Sequence, residues 1–309
     1  MALEGVMRPG HAQIRVLELD KAVGFYRDVL GLVETGRDAS GRVYLKCWDE
    51  RDHNSIVLRE ADAAGIDFIG FKVRDEATLD MLADKLGAAG IETDIVPAGD
   101  LMETGRRVRF QLPSGHNIEL YATKKSVGNG MTMVNPPPWN AQSENGIAPS
   151  RFDHALLYGP NIADVQKIFV DILGFYLVEQ VLGPDGETSV AIWLSCGQKV
   201  HDIAFVEHPE PGKLHHCSFL LESWEKVLRA GDIMSMNAVP VDIGPTRHGV
   251  TRGGTIYAWD PSGNRFETFQ GGYYPYPDYE PLTWTWDSFP QGLDYPQRKL
   301  HESFLSIVT

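Results

Sequence analysis

Three residues far apart in the chain carry groups that together could hold a catalytic metal: His154, His216 and Glu267. Two imidazoles and one carboxylate on one side of a cavity form a facial ligand set that suits non-haem Fe(II) and leaves positions open for two further reactants. Glu267 is the strongest pointer. It follows the turn Asp260-Pro261-Ser262-Gly263 and lies among the apolar residues of the strand NRFETF. A carboxylate buried without a partner is costly enough that it normally pairs or binds a metal. His154 opens the strand DHALLYG and His216 opens HCSFLL. His201, His248 and Tyr257 fall in the same half of the chain. A histidine can move protons near neutral pH, and a tyrosine hydroxyl can hold a hydroxyl or an oxyanion. These three are therefore expected to surround the metal as catalytic groups. Taken singly, a strand histidine is more often structural and a glutamate after a turn is often solvated; the repeat pattern of the chain adds the weight.

That pattern consists of two copies of one module. LPSGHNIELY (112–121) and DPSGNRFETF (260–269) share a turn and a strand, with Glu119 and Glu267 at the same place. GHAQIRVLELDKAVGFYRDVLGLVE (10–34) parallels DHALLYGPNIADVQKIFVDILGFYLVE (153–179), each a strand opening on a histidine and leading to a helix that ends at Leu-Gly. Asp20 is expected to cap the first helix, with Val23, Phe25, Tyr26, Val29 and Leu30 on its apolar stripe. Strand signals follow at 43–47, 55–58 and 66–73, matched by 190–195, 202–206 and 216–221, with second helices over 76–89 and 224–236. The order βαβββ, used four times, predicts an α+β fold of two tandem modules, each a pair of βαβββ units forming an incomplete barrel. The modules are expected at 1–121, without metal, and 150–270, catalytic. Residues 122–149, with Asn135-Pro136-Pro137-Pro138, link them, and 271–309 form an aromatic, Pro-rich tail.

Within the module of 150–270, strand alternation separates His215 from His216. Parity groups His215 with Cys217, Phe219 and Leu221, the more apolar set, which should face the helices. His216 is then the ligand. The first module keeps His11 and Glu119, but its middle strand reads GIDFIGFKV, without a histidine. One metal per chain is expected, with His11 and Glu119 in structural roles. The tail, PYPDYEPLTWTWDSF, has no clear period. It is expected to wrap the barrel surface or a subunit contact as extended chain, a lid being the alternative.

Composition narrows the function classes. With 43% hydrophobic and 23% charged residues the chain reads as globular. Its 42 Asp and Glu against 28 Lys and Arg give a net charge of −14, which repels phosphate backbones and argues against nucleic acid. No run has the length and apolarity of a membrane span, and MALEGVMRPGH lacks the basic and apolar regions of a signal peptide, so the cytoplasm is the expected location. Cys47, Cys196 and Cys217 show no CxxC spacing and read as reduced core thiols.

The run from His248 through Ile256-Tyr257, Asp260-Pro261, Gly263 and Glu267 resembles the signature of the type I extradiol ring-cleavage dioxygenases, in the vicinal oxygen chelate (glyoxalase-like) superfamily. The segments FDHALLYG, HDIAF, LHHCSF and DIGPTRHG extend the resemblance over nearly the whole chain. It implies Fe(II), with Mn(II) suited to the same donors, held by His154, His216 and Glu267 in the C-terminal barrel. It also implies His201 as the acid–base residue, His248 and Tyr257 as hydrogen-bonding partners of the substrate, and a homotetramer. The implied reaction opens catechol or an alkylcatechol next to its hydroxyls, adding both atoms of O2 to give products of the 2-hydroxymuconate semialdehyde type. Two other classes share the fold: glyoxalase or thiol-transferase metalloenzymes, which commonly use a different ligand set, and ligand-sequestering proteins that need no metal.

Overall fold

The computed structural model describes residues 5–309. The first half runs β1 (Val6–Val16), α1 (Leu19–Gly24), β2 (Val33–Arg37), β3 (Val43–Lys46), β4 (Ile56–Glu60), β5 (Gly65–Val73), α2 (Glu76–Ala88), β6 (Thr93–Val96), β7 (Arg107–Gln111) and β8 (Asn117–Tyr121). The second half repeats it as β9 (Arg151–Gly159), α3 (Ile162–Lys167), β10 (Tyr176–Leu182), β11 (Ser189–Ser195), β12 (Ile203–Glu207), β13 (Lys213–Leu220), α4 (Trp224–Met236), β14 (Val241–Arg247), β15 (Gly253–Trp259) and β16 (Arg265–Gly271). After each of α1 and α3 the helix continues in a wider π turn, Phe25–Val29 and Ile168–Ile172. Glu18, not Asp20, stands at the N-cap of α1; Asp20 lies in the first turn, beside the emerging N–H groups.

Each half is one mixed sheet, ordered β2-β3-β4-β1-β5-β8-β7-β6 and, with a tail strand β17 (Leu282–Trp284) at its edge, β14-β15-β16-β13-β9-β12-β11-β10-β17. In both, the first strands of the two βαβββ units pair antiparallel and each pairs parallel with the last strand of its own unit. The sheet can therefore curl while its ends stay apart. The helices cover the outer faces, and one apolar cluster runs through both halves, joining Phe71, Phe169, Phe205 and Phe266. The repeated Pro-Ser-Gly turns lock the halves together: Tyr26 donates to Asp260 across 3.0 Å, and His116 lies 3.0 Å from the Lys213 carbonyl. Cys47, Cys196 and Cys217 are free thiols. No helix among the described residues is long and apolar enough to cross a membrane.

The tail departs from the expected extended wrapping. Besides β17 it forms two short helices, α5 (Phe289–Leu293) and α6 (Glu302–Ser306), and Phe289, Leu293 and Phe304 from these helices enter the second barrel. It is tied down at buried Glu179 on β10, which accepts from Tyr273 and Trp284 of the tail and from the Thr251 backbone. This arrangement follows the lid alternative: the tail closes the barrel instead of only decorating it.

Candidate metal centre and active site

Three adjacent strands bring His154, His216 and Glu267 together. In the order β16-β13-β9, Ser218 of β13 is in register with Glu267 on one side and His154 on the other, so the three side chains project at nearly one level. One donor atom from each lies within 4.8 Å of the other two. His154 Nε2 approaches Glu267 Oε2 to 2.9 Å and His216 Nε2 to 3.5 Å, yet Glu267 Oε2 and His216 Nε2 are buried and make no hydrogen bond. Donor atoms this close, two of them buried without a hydrogen bond, converge on one point where a divalent cation would satisfy all three. The residues present fit the metal.

Neighbouring groups fix which atom His154 and Glu267 turn to the shared point. Asp153 Oδ2 lies 2.9 Å from His154 Nδ1, and since a carboxylate only accepts, Nδ1 carries the proton and Nε2 faces the centre. Burial pulls the His154 pKa down, but the nearby carboxylates of Asp153 and Glu267 raise it above the ordinary value. Burial would raise the Glu267 carboxyl, yet the surrounding histidines hold it well below the usual carboxylate range. Thr255 donates to Glu267 Oε1 at 2.6 Å, leaving Oε2 for the centre.

All six residues expected at the site line one cavity. His201 sits just ahead of β12, with its ring 3.9 Å from that of His154 and its Nδ1 buried without a partner. Burial and the adjacent His154 lower its pKa well below the ordinary value. Tyr257 pairs with Glu267 across β15 and β16. Its hydroxyl lies 2.8 Å from His248 Nε2, while His248 Nδ1 bonds the Leu293 carbonyl of the tail. A carbonyl only accepts, so Nδ1 donates and Nε2 accepts the hydrogen bond of the Tyr257 hydroxyl. The walls are apolar: Trp193, Val250, Phe269, Phe289, Leu293 and Phe304. A roomier cleft between the halves, lined by Arg8, Lys199, Asp202 and Tyr274, brings no comparable set of inward-facing donors together.

Strand alternation put His216 on the cavity side and His215 on the helix side; in the structure both lie on the cavity side. A register shift in β13 between Leu214 and His216 breaks the alternation. His215 turns to the cavity side, stacked on Tyr158 and against Phe304, while Cys217, Phe219 and Leu221 belong to the core shared with the helices. Asp153, Thr255 and the tail residues were missed. The acid next to His154 and the parity of Thr255 with Tyr257 are visible in the chain; the tail carries no comparable signal.

Comparison with known proteins agrees with this geometry. Residues 66–125 match the catechol 2,3-dioxygenase-like N-terminal domain, and 151–268 match the glyoxalase/bleomycin resistance protein/dioxygenase superfamily. The metapyrocatechase of Pseudomonas sp. (strain CF600) is 52% identical over 307 residues, 99% of each chain. The chain belongs to the metapyrocatechase family of extradiol dioxygenases. The crystal structure of the 2,3-dioxygenase LapB from Pseudomonas sp. KL28 superposes with a TM-score of 0.91 at 73% identity, covering 93% of this chain and 99% of that one. A manganese-dependent 2,3-dihydroxybiphenyl 1,2-dioxygenase of Geobacillus genomosp. 3 is 30% identical, covering 92% of this chain and 91% of that one. As a family member the chain is a metalloenzyme that cleaves catechols beside their hydroxyls in aromatic degradation, with the vicinal oxygen chelate fold. The glyoxalase, thiol-transferase and sequestering alternatives give way to that full-length likeness.

Proposed function

We propose that His154, His216 and Glu267 hold Fe(II) in a catalytic module spanning 150–270, that 1–121 is a metal-free module joined to it by 122–149, and that the substrate is catechol or an alkylcatechol. The observation that carries the ligand reading is the pair of buried, unbonded atoms, His216 Nε2 and Glu267 Oε2, converging beside His154 Nε2. Fe(II) held there would supply a common site for catechol and dioxygen and a route for electrons between them. Mn(II) suits the same donors, and one relative is manganese-dependent; metal analysis of the active chain decides between the two.

The chain's own residues manage protons and water. Tyr257 donates its O–H hydrogen bond to His248, so its oxygen retains lone pairs to accept a hydrogen bond from a substrate hydroxyl. The Tyr257–His248 pair then offers the departing proton a path. His201, with an unpartnered ring nitrogen in the cavity, gives or takes a proton at Nδ1 beside the reacting oxygen. Trp193, Phe269 and Phe304 pack the aromatic ring and exclude bulk water. The reaction balances as catechol plus O2 to 2-hydroxymuconate semialdehyde.

Aerobic protein loaded with Fe(II) should turn catechol into a yellow ring-fission product. Absorbance of the muconate formed by cleavage between the hydroxyls would sink the assignment. We also place the chain in the cytoplasm, in keeping with its free thiols, as a homotetramer. Exposed Met133, Val134, Tyr274 and Tyr279 supply apolar surface for subunit contacts, and light scattering gives the mass.

A further inference from the structure

The ligand reading leaves one buried side chain unexplained. His215 is fully buried on the cavity side, yet it lines no part of the cavity. Its Nδ1 lies 2.7 Å from Nδ1 of His216, and its Nε2 lies 2.8 Å from the backbone carbonyl of Phe304 in α6. Two ring nitrogens that close must share one proton, as donor and acceptor. The Phe304 carbonyl can only accept, so His215 Nε2 carries a proton. A ring with one proton then has a bare Nδ1, and the proton between the two rings belongs to His216 Nδ1. His216 Nε2 is left bare, facing Glu267. A second proton on His215 would bury a charge beside the Arg265 guanidinium, which reaches the His215 carbonyl at 3.5 Å and donates to the Ser303 and Ile307 carbonyls of the tail.

We propose that His215 is a positioning residue and the Phe304 carbonyl its anchor: a relay from the C-terminal tail, through His215, that holds His216 in the tautomer presenting Nε2 to the metal. The proposal rests on His216 being a ligand. Four contacts make the relay rigid. Tyr158 donates to the same carbonyl at 3.0 Å, and its ring stacks on His215 at 4.8 Å between centroids. The Thr309 and Leu214 backbones exchange two hydrogen bonds of 2.7 and 3.0 Å, pinning the tail to the residue before the register shift. Arg265, two residues before Glu267, pins α6 to β16. The tail thus braces all three strands, β9 through Tyr158, β13 through Leu214 and β16 through Arg265, and the register shift in β13 is what turns two successive histidines to one side.

Asn and Gln substitutions separate the two bonds of His215, because Asn places its oxygen near the Nδ1 position and Gln places its amide near Nε2. Binding of Mn(II) to metal-free protein, followed by electron paramagnetic resonance, reads ligand quality without turnover. His215→Gln, which loses the acceptor, should weaken Mn(II) by about 10- to 100-fold, the usual effect of removing a group that orients a ligand. His215→Asn should stay within a few-fold of wild type, and so should Phe304→Ala, which keeps the carbonyl. Gln binding as tightly as wild type, or Gln and Asn weakening equally, overturns the relay while leaving the ligands in place. A wild-type chain that takes up no Mn(II) overturns the ligand assignment and the relay with it. Nitrogen NMR of the Zn(II)-loaded wild type, with 15N-labelled histidine, needs no variant to fold: His215 protonated at Nε2 alone supports the relay, and a proton on its Nδ1 overturns it.

Discussion

The two barrels solve one electrostatic problem in different ways. In the second, buried Glu267 converges with His154 and His216, one donor atom of each lying within 4.8 Å of the others. In the first, Glu119 occupies the equivalent place, in register with Gly70 and through it with His11. Here the neighbouring strand β7 supplies arginines. Arg107 bonds Glu119 Oε2 at 2.7 Å, and Arg109 bonds Oε1 at 2.5 and 2.8 Å. By register, Arg107 and Arg109 stand where the second barrel has Thr255 and Tyr257, and Phe68 stands where it has His216. Phe68 packs beneath the Arg109 guanidinium, 5.0 Å from ring centroid to Cζ. A guanidinium built into the sheet does for Glu119 what a metal ion would do for Glu267: it supplies the positive charge a buried carboxylate requires. The two equivalent histidines respond accordingly. Burial and the charge of Lys124 lower His11 to about 3, whereas His154 is raised by its carboxylate partners against the pull of burial. Shared backbone and a shared glutamate therefore make only a scaffold; the residues beside the glutamate decide whether it binds a metal.

The contrast can be broken most severely at the glutamates. Glu267→Gln should lose the metal and about 10³-fold or more in turnover, since several kcal/mol of metal-dependent stabilisation goes with it. Glu119→Gln should still carry one metal per chain, measured by elemental analysis. Next comes the internal cation: Arg107→Met leaves Glu119 short of a buried partner and should cost about 3–5 kcal/mol in urea unfolding, while the metal content stays at one per chain. His201→Phe should retain its metal but slow turnover by about 10²-fold, the lower range for a lost acid–base group. An unchanged rate would remove His201 from the reaction.

A smaller effect concerns pH. Because the folded-state pKa of His11 is depressed, its contribution to stability is complete above the ordinary value of 6.5 and declines as pH falls toward 3. His11→Asn should therefore flatten the loss of stability between pH 6.5 and 5 by about 1–2 kcal/mol; equal slopes in the two proteins would contradict the depressed value. The smallest expected effect is none: Phe68→His alone should not create a second metal site, because Arg107 and Arg109 still hold Glu119. Two metals per chain in that variant would show that the missing histidine alone kept the first barrel empty.

The chain by itself determined the repeat, the βαβββ order and the residues with metal-binding chemistry, because strand alternation, turns and buried carboxylates are local signals. It also marked the first module as lacking a middle-strand histidine. Why that module can still bury Glu119 was legible only in part, in the alternation of Arg107 and Arg109 on β7. Tertiary structure decided the rest. Parity assigned His215 to the helix side, and a register shift overruled it, since a shift depends on pairing with β9 and on the tail at Leu214. The aromatic tail showed no period because its regular pieces, β17, α5 and α6, are only three to five residues long; its conformation is set by Glu179 and Arg265 and by the cavity it closes. Local pattern selects which residues can react, and long-range contacts such as those of the tail decide how their side chains are set.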